Sequence, residues 1–398
     1  MEQNLELVRE LTKFEAYYLS DYKNDIKPHQ YGLLNGLSGI ILVHLSLFEL
    51  TNEPKYKEEI ISNVNKIIET LEQQESYTFS FCSGLAGVGW MLHCLMEKQI
   101  LVSYPEDFLE DFDQVLEEEI KELAANKNYD ILHGALGIGL YFIKRGKRNI
   151  IEYVIECLDS DRIENNFEIC WSKTEDNVTF HDMGLAHGNA SILYFLTKCY
   201  ENKIAENKCL HLLKGSVNFY LRHIKTPSTS TSFLPSKLLP FSYQDDKNSG
   251  ISRLAWCYGD LGVLHTILLA YRTIGEYKNA SEIITLLERT AKRQDPRDTK
   301  VMGSCFCHGS SGIAYIFLKL YEETGNLEFE SAAKFWLIQT FNYRKNEHEL
   351  DYHLDEISLE EWHPKGNLIN GIGGIAILYL TYAHKRDTDL WNEAFFLK

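Results

Sequence analysis

An all-α fold is expected, and within it an α/α toroid: a double ring of seven helix pairs, about fourteen helices. Three observations predict it. A G-x-x-G signature recurs along the chain, each copy opens a run that is apolar almost all round, and amphipathic segments fill the intervals.

The signature appears first as Gly36-Leu37-Ser38-Gly39, Gly84-Leu85-Ala86-Gly87 and Gly134-Ala135-Leu136-Gly137. A weaker fourth copy is Gly188-Asn189-Ala190-Ser191. Gly259-Asp260-Leu261-Gly262, Gly309-Ser310-Ser311-Gly312 and Gly371-Ile372-Gly373-Gly374 complete the series. The first glycines return roughly every 50–70 residues, the period of a helix-pair repeat. The runs after them, such as residues 40–50, 263–271, 313–321 and 375–380, carry apolar side chains on nearly every face, so they read as buried inner helices. Between them lie segments such as Tyr56, Ile60, Ile61, Val64, Ile67, Ile68 and Leu71, apolar at helical spacing with Lys and Glu on the other face. These read as outer helices.

Seven such pairs form an open solenoid or a ring. A solenoid needs polar caps at its ends. The last repeat is as apolar as the others, so closure is expected, with residues 1–398 as one domain. Two insertions interrupt the rhythm. Residues 160–186 alternate like strands, and residues 226–250, rich in Ser, Thr and Pro, read as a long surface loop.

Composition narrows the function. The chain is 44% hydrophobic and 24% charged, as soluble globular proteins are. A net charge of −17 disfavours nonspecific nucleic-acid binding, which needs a basic footprint. The opening residues lack a basic-then-apolar signal pattern, and no stretch reaches the roughly 18 continuous apolar residues of a membrane span. Cytoplasmic residence is the expectation. Nine cysteines, an odd number in a long chain, argue against a disulfide framework.

Chemistry concentrates just before the glycines. The residues one place before the first glycine are Asn35, Ser83, His133, His187, Tyr258, His308 and Asn370. Those two places before are Leu34, Cys82, Leu132, Ala186, Cys257, Cys307 and Ile369. In a ring these positions face the axis at one end. Repeats five and six are neighbours, so Cys257, Cys307 and His308 can meet at one metal. Two thiolates and an imidazole select zinc over magnesium or calcium, and three protein donors leave a fourth position open. Cys305 is read as a packing residue facing the other way, and Cys82 as lying across the ring. His187 is the nearer candidate for handling protons, with His133 as its rival.

At these residues the chain resembles the lanthionine synthetase C-like family, and within it the stand-alone bacterial lantibiotic cyclases. The resemblance runs through all seven repeats. Its most specific pieces are Arg253-Leu254-Ala255-Trp256-Cys257-Tyr258-Gly259 and Cys307-His308-Gly309, supported by Tyr129-Asp130 and Gly184-Leu185-Ala186-His187-Gly188. It implies one Zn2+ per chain on Cys257, Cys307 and His308, and catalytic roles for Asp130, His187 and Arg253. It also implies a dehydrated lantibiotic precursor peptide as substrate. A dehydratase and an ABC transporter are the implied partners, at the inner face of the cell membrane. The implied reaction is addition of a peptide cysteine to dehydroalanine or dehydrobutyrine, giving a thioether ring. Two other readings stand beside it. A prenyltransferase-like toroid also activates a thiol with zinc, but the pattern here lacks an aspartate at the metal. A peptide-binding relative without turnover would not need Asp130, His187 and Arg253 together.

Overall fold

The computed structural model describes residues 2–27, 29–74, 76–102, 108–225, 232–239, 252–346, 348–354, 365–384 and 389–398. Seven inner helices follow the glycine signatures: Leu37–Thr51, Leu85–Glu97, Ala135–Lys144, Asn189–Glu201, Asp260–Thr273, Ser310–Thr324 and Gly373–His384. Seven outer helices alternate with them: Glu2–Ala16, Pro54–Gln73, Glu110–Ala125, Arg148–Asp161, Glu206–His223, Tyr277–Ala291 and Leu327–Asn342. The expected double ring of fourteen helices is therefore present among the described residues.

The two rings differ because their side chains differ. The inner helix Leu37–Thr51 buries ten of its residues, including His44. The outer helix Pro54–Gln73 buries only Tyr56, Ile60, Asn63, Val64 and Ile67, a single stripe. Each fully buried Leu, Ile or Phe contributes about 1.5–3 kcal/mol. Turned into the ring, the inner helices thus hold most of the stability.

Backbone hydrogen bonds close the ring through the position two before each first glycine. Leu34 N–H donates to Cys82 O at 2.9 Å, and Cys82 N–H to Leu132 O at 3.0 Å. Ala186 N–H donates to Cys257 O at 3.2 Å, Cys257 N–H to Cys307 O at 3.2 Å and Cys307 N–H to Ile369 O at 2.9 Å. Ile369 N–H then returns to Leu34 O at 3.0 Å. The loops, whose backbone groups would otherwise be buried unpaired, satisfy one another. At the junction of repeats three and four, Leu132 N–H turns instead to its own loop and donates to Asp130 Oδ1 at 2.8 Å.

The glycines follow from the same packing. A Cβ on Gly312 would overlap the carbonyl oxygen of Phe306, six residues earlier, and one on Gly262 would overlap that of Trp256. Gly259 also has φ of +91°, which disfavours any side chain.

The first insertion folds as expected into short strands. These are β1 (Ile163–Asn165), β2 (Glu168–Cys170), β3 (Lys173–Glu175) and β4 (Val178–Asp182), paired antiparallel as β1–β2 and β3–β4. Asn189, in the first turn of the fourth inner helix, sews this insertion down. Its Oδ1 accepts Trp171 N–H at 2.7 Å, and its Nδ2 donates to Trp171 O and Asp182 O, both at 2.9 Å.

The second insertion departs from the expected surface loop where it is described. Residues 226–231 and 240–250 lie outside the described residues. Ser232, Phe233 and Leu234 are buried, and β5 (Lys237–Leu238) pairs with β4. The anchor is Asp260, fully buried, which accepts the N–H groups of Phe233 and Leu234 at 2.9–3.0 Å and the Arg293 guanidinium at 2.9 Å. Burial pushes the Asp260 carboxyl up to about 6, while Arg293 and the two amides pull it down, so it is ionised at neutral pH. A Ser- and Thr-rich stretch reads as surface, yet here Phe233 and Leu234 dock and a buried ion pair holds them.

Candidate metal centre

Cys257, Cys307 and His308 come together as the repeat alignment requires. Their ligand atoms all lie within 4.8 Å of one another. Cys257 and His308 are buried and Cys307 is half-buried. The Cys257–Cys307 backbone hydrogen bond brings the two sulfurs side by side, and His308 follows Cys307 directly.

The donor set fits a zinc ion. Donors bound at about 2.0–2.3 Å in a tetrahedron stand about 3.3–3.8 Å apart, inside the 4.8 Å limit within which these three atoms lie. Charge is already arranged for it. The neighbouring Cys307 sulfur, with His308 and Arg253, outweighs burial and lowers Cys257. The lowering favours the thiolate, the form a metal ligand needs. Cys307 is pushed up, because the Cys257 sulfur and burial both oppose a charge on it. Burial opposes a charge on His308, but the sulfurs of Cys257 and Cys305 raise it to about 10.

Cys305 is a correction. It does not face away from the site; its sulfur interacts with the His308 ring. The alternation of an extended segment fails here because the chain turns. Gly309 N–H reaches back to Cys305 O at 3.0 Å, folding position 305 onto 308. Cys82 is buried in the second repeat and is not one of the three clustered donors.

Beside the sulfurs lies an acid–base group. Ala186, the residue before His187, donates to the carbonyl of Cys257, which ties the His187 loop to the Cys257 loop. His187 Nδ1 lies 2.7 Å from Asp130 Oδ2, and Lys173 Nζ lies 3.7 Å from the same oxygen. Asp130 Oδ1 accepts the N–H groups of Leu132 and His133 at 2.8 and 2.9 Å. Burial works against the Asp130 charge, but His187, the His133 amide and Lys173 overcome it and hold the carboxyl at about 2. Burial likewise opposes a charged His187, and Asp130 reverses this and raises it. His133 stacks on His187 with ring centroids 6.0 Å apart, and burial lowers its pKa. The two histidines are therefore not equivalent: only His187 holds the carboxylate through its ring.

Arg253 is half-buried and, among the described residues, makes no ion pair within 4.0 Å. Its positive charge lowers both Cys257 and Cys307. The cation that fixes Asp130 is Lys173.

A model of the family described as "Lanthionine synthetase C-like protein" matches residues 27–396. The chain belongs to the lanthionine synthetase C-like family. Among solved structures it is similar to nisin cyclase, with a TM-score of 0.77, 20% identity and coverage of 98% of this chain and 97% of that one. That likeness establishes the shared toroid. Among curated proteins it is similar to glutathione S-transferase LANCL1 of Danio rerio, 22% identical over 307 residues, which is 73% of this chain and 69% of that protein. No helix among the described residues is long and apolar enough to cross a membrane.

Side chains that the sequence reading did not single out complete this family member's site. Tyr258 Oη donates to Asp182 Oδ2 at 2.9 Å, and its ring stands 6.3 Å from His187. Its signal was present, because Tyr258 occupies the same repeat position as His133, His187 and His308. Lys173 had none, since it comes from the inserted β3 and has no place in the repeat.

Proposed function

We propose that the chain is a zinc-dependent lanthionine cyclase that adds cysteine thiols of a dehydrated precursor peptide to dehydroalanine or dehydrobutyrine. The observation that supports this reading is the cluster of two sulfurs and an imidazole, with the loop that carries the Asp130–His187 pair joined to Cys257 by the Ala186 backbone hydrogen bond. Cys257, Cys307 and His308 would hold the ion. Bound zinc lowers the pKa of a substrate thiol, so that the sulfur is a thiolate at neutral pH.

The chain's own residues then handle charge and protons. As the sulfur bonds to the β-carbon, the alkene electron pair moves onto the α-carbon and the adjoining carbonyl oxygen. Arg253, with no carboxylate partner among the described residues, is available to that oxygen. His187, bound to Asp130 through Nδ1, presents Nε2 and delivers a proton to the α-carbon. The thiol proton replaces it, so the reaction is an isomerisation and needs no co-reactant. The side chain of His187 is 35% exposed, enough for a peptide to reach it.

The same reading takes a dehydratase as the supplier of substrate and an ABC transporter as the consumer of product, with the cyclase in the cytoplasm at the inner membrane face. Family membership supports the peptide substrate class. A second reading follows from the Danio rerio relative's name: the same thiol-activating site would serve glutathione.

The deciding experiment incubates zinc-loaded chain with a dehydrated cysteine-containing peptide, with glutathione plus an electrophile, and with a prenyl diphosphate plus a thiol peptide. The expected result is loss of alkylatable thiols in the first arm at unchanged peptide mass. Turnover of glutathione or prenyl diphosphate with no ring formation would replace the cyclase reading.

A further inference from the structure

Residues three before the first glycine, Leu33, Phe81, Ile131, Leu185, Trp256, Phe306 and Leu368, are all fully buried. They point from the loops into the ring, beneath the residues that carry chemistry. Three are aromatic, and two of those three immediately precede the metal ligands Cys257 and Cys307.

Residues 389–398 meet these three. A short helix, Asp389–Ala394, lies among the far ends of the inner helices, tied by Trp391 Nε1 to Ser46 Oγ at 3.0 Å and by Tyr315 Oη to Asn392 Oδ1 at 2.8 Å. The chain then runs up inside the ring. Phe395 stacks on Phe306 with centroids 3.7 Å apart and rings 19° from parallel. Its carbonyl accepts Trp256 Nε1–H at 2.7 Å. Phe396 packs on Trp256 at 5.9 Å, on Phe81 at 5.7 Å and on Tyr194 at 5.5 Å. Both phenylalanines are fully buried.

We infer that residues 389–398 form a hub inside the ring that holds the two metal-ligand loops in register, with Phe395 and Phe396 as positioning residues for Cys257 and Cys307. The two cysteines come from different repeats, and one backbone hydrogen bond joins them directly. Phe395 bridges the residues before them, by a ring stack on one side and a hydrogen bond on the other. A shift of either loop would change the spacing of the sulfurs, which a metal reads sensitively. This inference rests on the metal reading of the site.

The test is cobalt binding to the metal-free full-length chain. Thiolate-to-cobalt charge transfer and the visible ligand-field bands report ligand geometry, and competition with a chelator gives affinity. Phe395→Ala is expected to weaken cobalt about 10-fold or more and to alter the bands, as loss of an outer-shell support does. Phe395→Leu, which keeps bulk and loses the stack, is expected to alter the bands with a smaller loss, and it carries the test if the alanine variant does not fold. Phe329→Ala removes an equally buried phenylalanine from an outer helix, one stacked on Phe317, and is expected to leave affinity and bands unchanged. Unchanged cobalt binding in the folded Phe395 variants, or an equal loss in Phe329→Ala, overturns the inference. A wild-type chain that binds no cobalt overturns the metal reading itself.

Discussion

Replacing Cys307 by alanine separates the metal from the fold. The backbone of residue 307 keeps its place, because its N–H still reaches Ile369 and its carbonyl still accepts Cys257. The side chain is small and half-buried, so its removal costs the metal-free fold about 1 kcal/mol or less. The metal loses far more. Structural zinc binding in four-donor sites amounts to about 10–16 kcal/mol, so one donor accounts for about 3–4 kcal/mol. At 1.4 kcal/mol per tenfold, Cys307→Ala weakens zinc by about 10²–10³-fold. Zinc at 100 times its Kd stabilises the wild-type chain by about 2.7 kcal/mol, and nearly all of that disappears in the variant at the same zinc concentration. Chelator competition measures the affinity, far-UV circular dichroism the fold, and thiol capping with mass spectrometry the rings. A folded variant that holds zinc as tightly as wild type, or that still closes correct rings, refutes the thiolate role of Cys307.

Two further outcomes are expected. Asp130→Asn should remove about 2 kcal/mol of stability, and the effect should depend on pH. The Asp130 carboxyl falls to about 2 in the folded chain from about 3.9 unfolded, so its contribution is present above pH 4 and is lost as pH falls through 2. His187 is raised in the folded chain, so its contribution is present below the unfolded value of about 6.5 and is lost as pH rises through the folded one. The gap between variant and wild type is therefore widest between about pH 4 and 6.5. The alkaline limb of the ring-forming rate should also move to lower pH. Denaturant titrations and a pH–rate profile check both, and a gap that stays flat with pH counts against the pair. Gly312→Ala should cost about 1–3 kcal/mol or more, because the new Cβ meets the Phe306 carbonyl, a backbone atom held by the ring. Ser191→Gly, at the equivalent position of repeat four, should cost no more than about 1 kcal/mol, and equal midpoints for the two in urea would contradict the close-approach argument.

The ring was legible because its constraint is a carbon that cannot be added. A loop carbonyl lies against the first turn of the inner helices, so the signature's second glycine recurs in six repeats, and its first glycine recurs in all seven. Ser191 breaks the signature without breaking the fold, since its Oγ donates to Gly188 O at 2.6 Å. The metal donors were legible for the same reason: they occupy fixed columns relative to that glycine. Cys305 was misread because an extended segment was assumed where the loop folds back. Asp130 occupies the position corresponding to Cys305, four before the first glycine, so one turn geometry presents a carboxylate in repeat three and a third thiol in repeat six. Lys173 and Phe395 were not legible. One arrives on an inserted strand and the other on a segment outside the repeats, and neither has a column to be aligned in.

Such a ring has seven equivalent stations, and chemistry requires that they stop being equivalent. The backbone circuit shows how this is done. Where repeats five and six meet, the circuit is intact and puts Cys257 against Cys307, so like meets like and a donor cluster fit for a metal forms. Where repeats three and four meet, Leu132 N–H leaves the circuit for Asp130 Oδ1. That same carboxylate then spans the junction through its other oxygen, to His187. The missing backbone link is replaced by a side-chain link that carries charge and holds a protonatable ring. Ala186 then passes the circuit on to Cys257, with His187 attached. One continuous chain of loop hydrogen bonds thus runs from the carboxylate through the imidazole's own loop to the backbone of both cysteines. The relative placement of the imidazole and the two cysteines is set by the ring's framework rather than by flexible side chains alone.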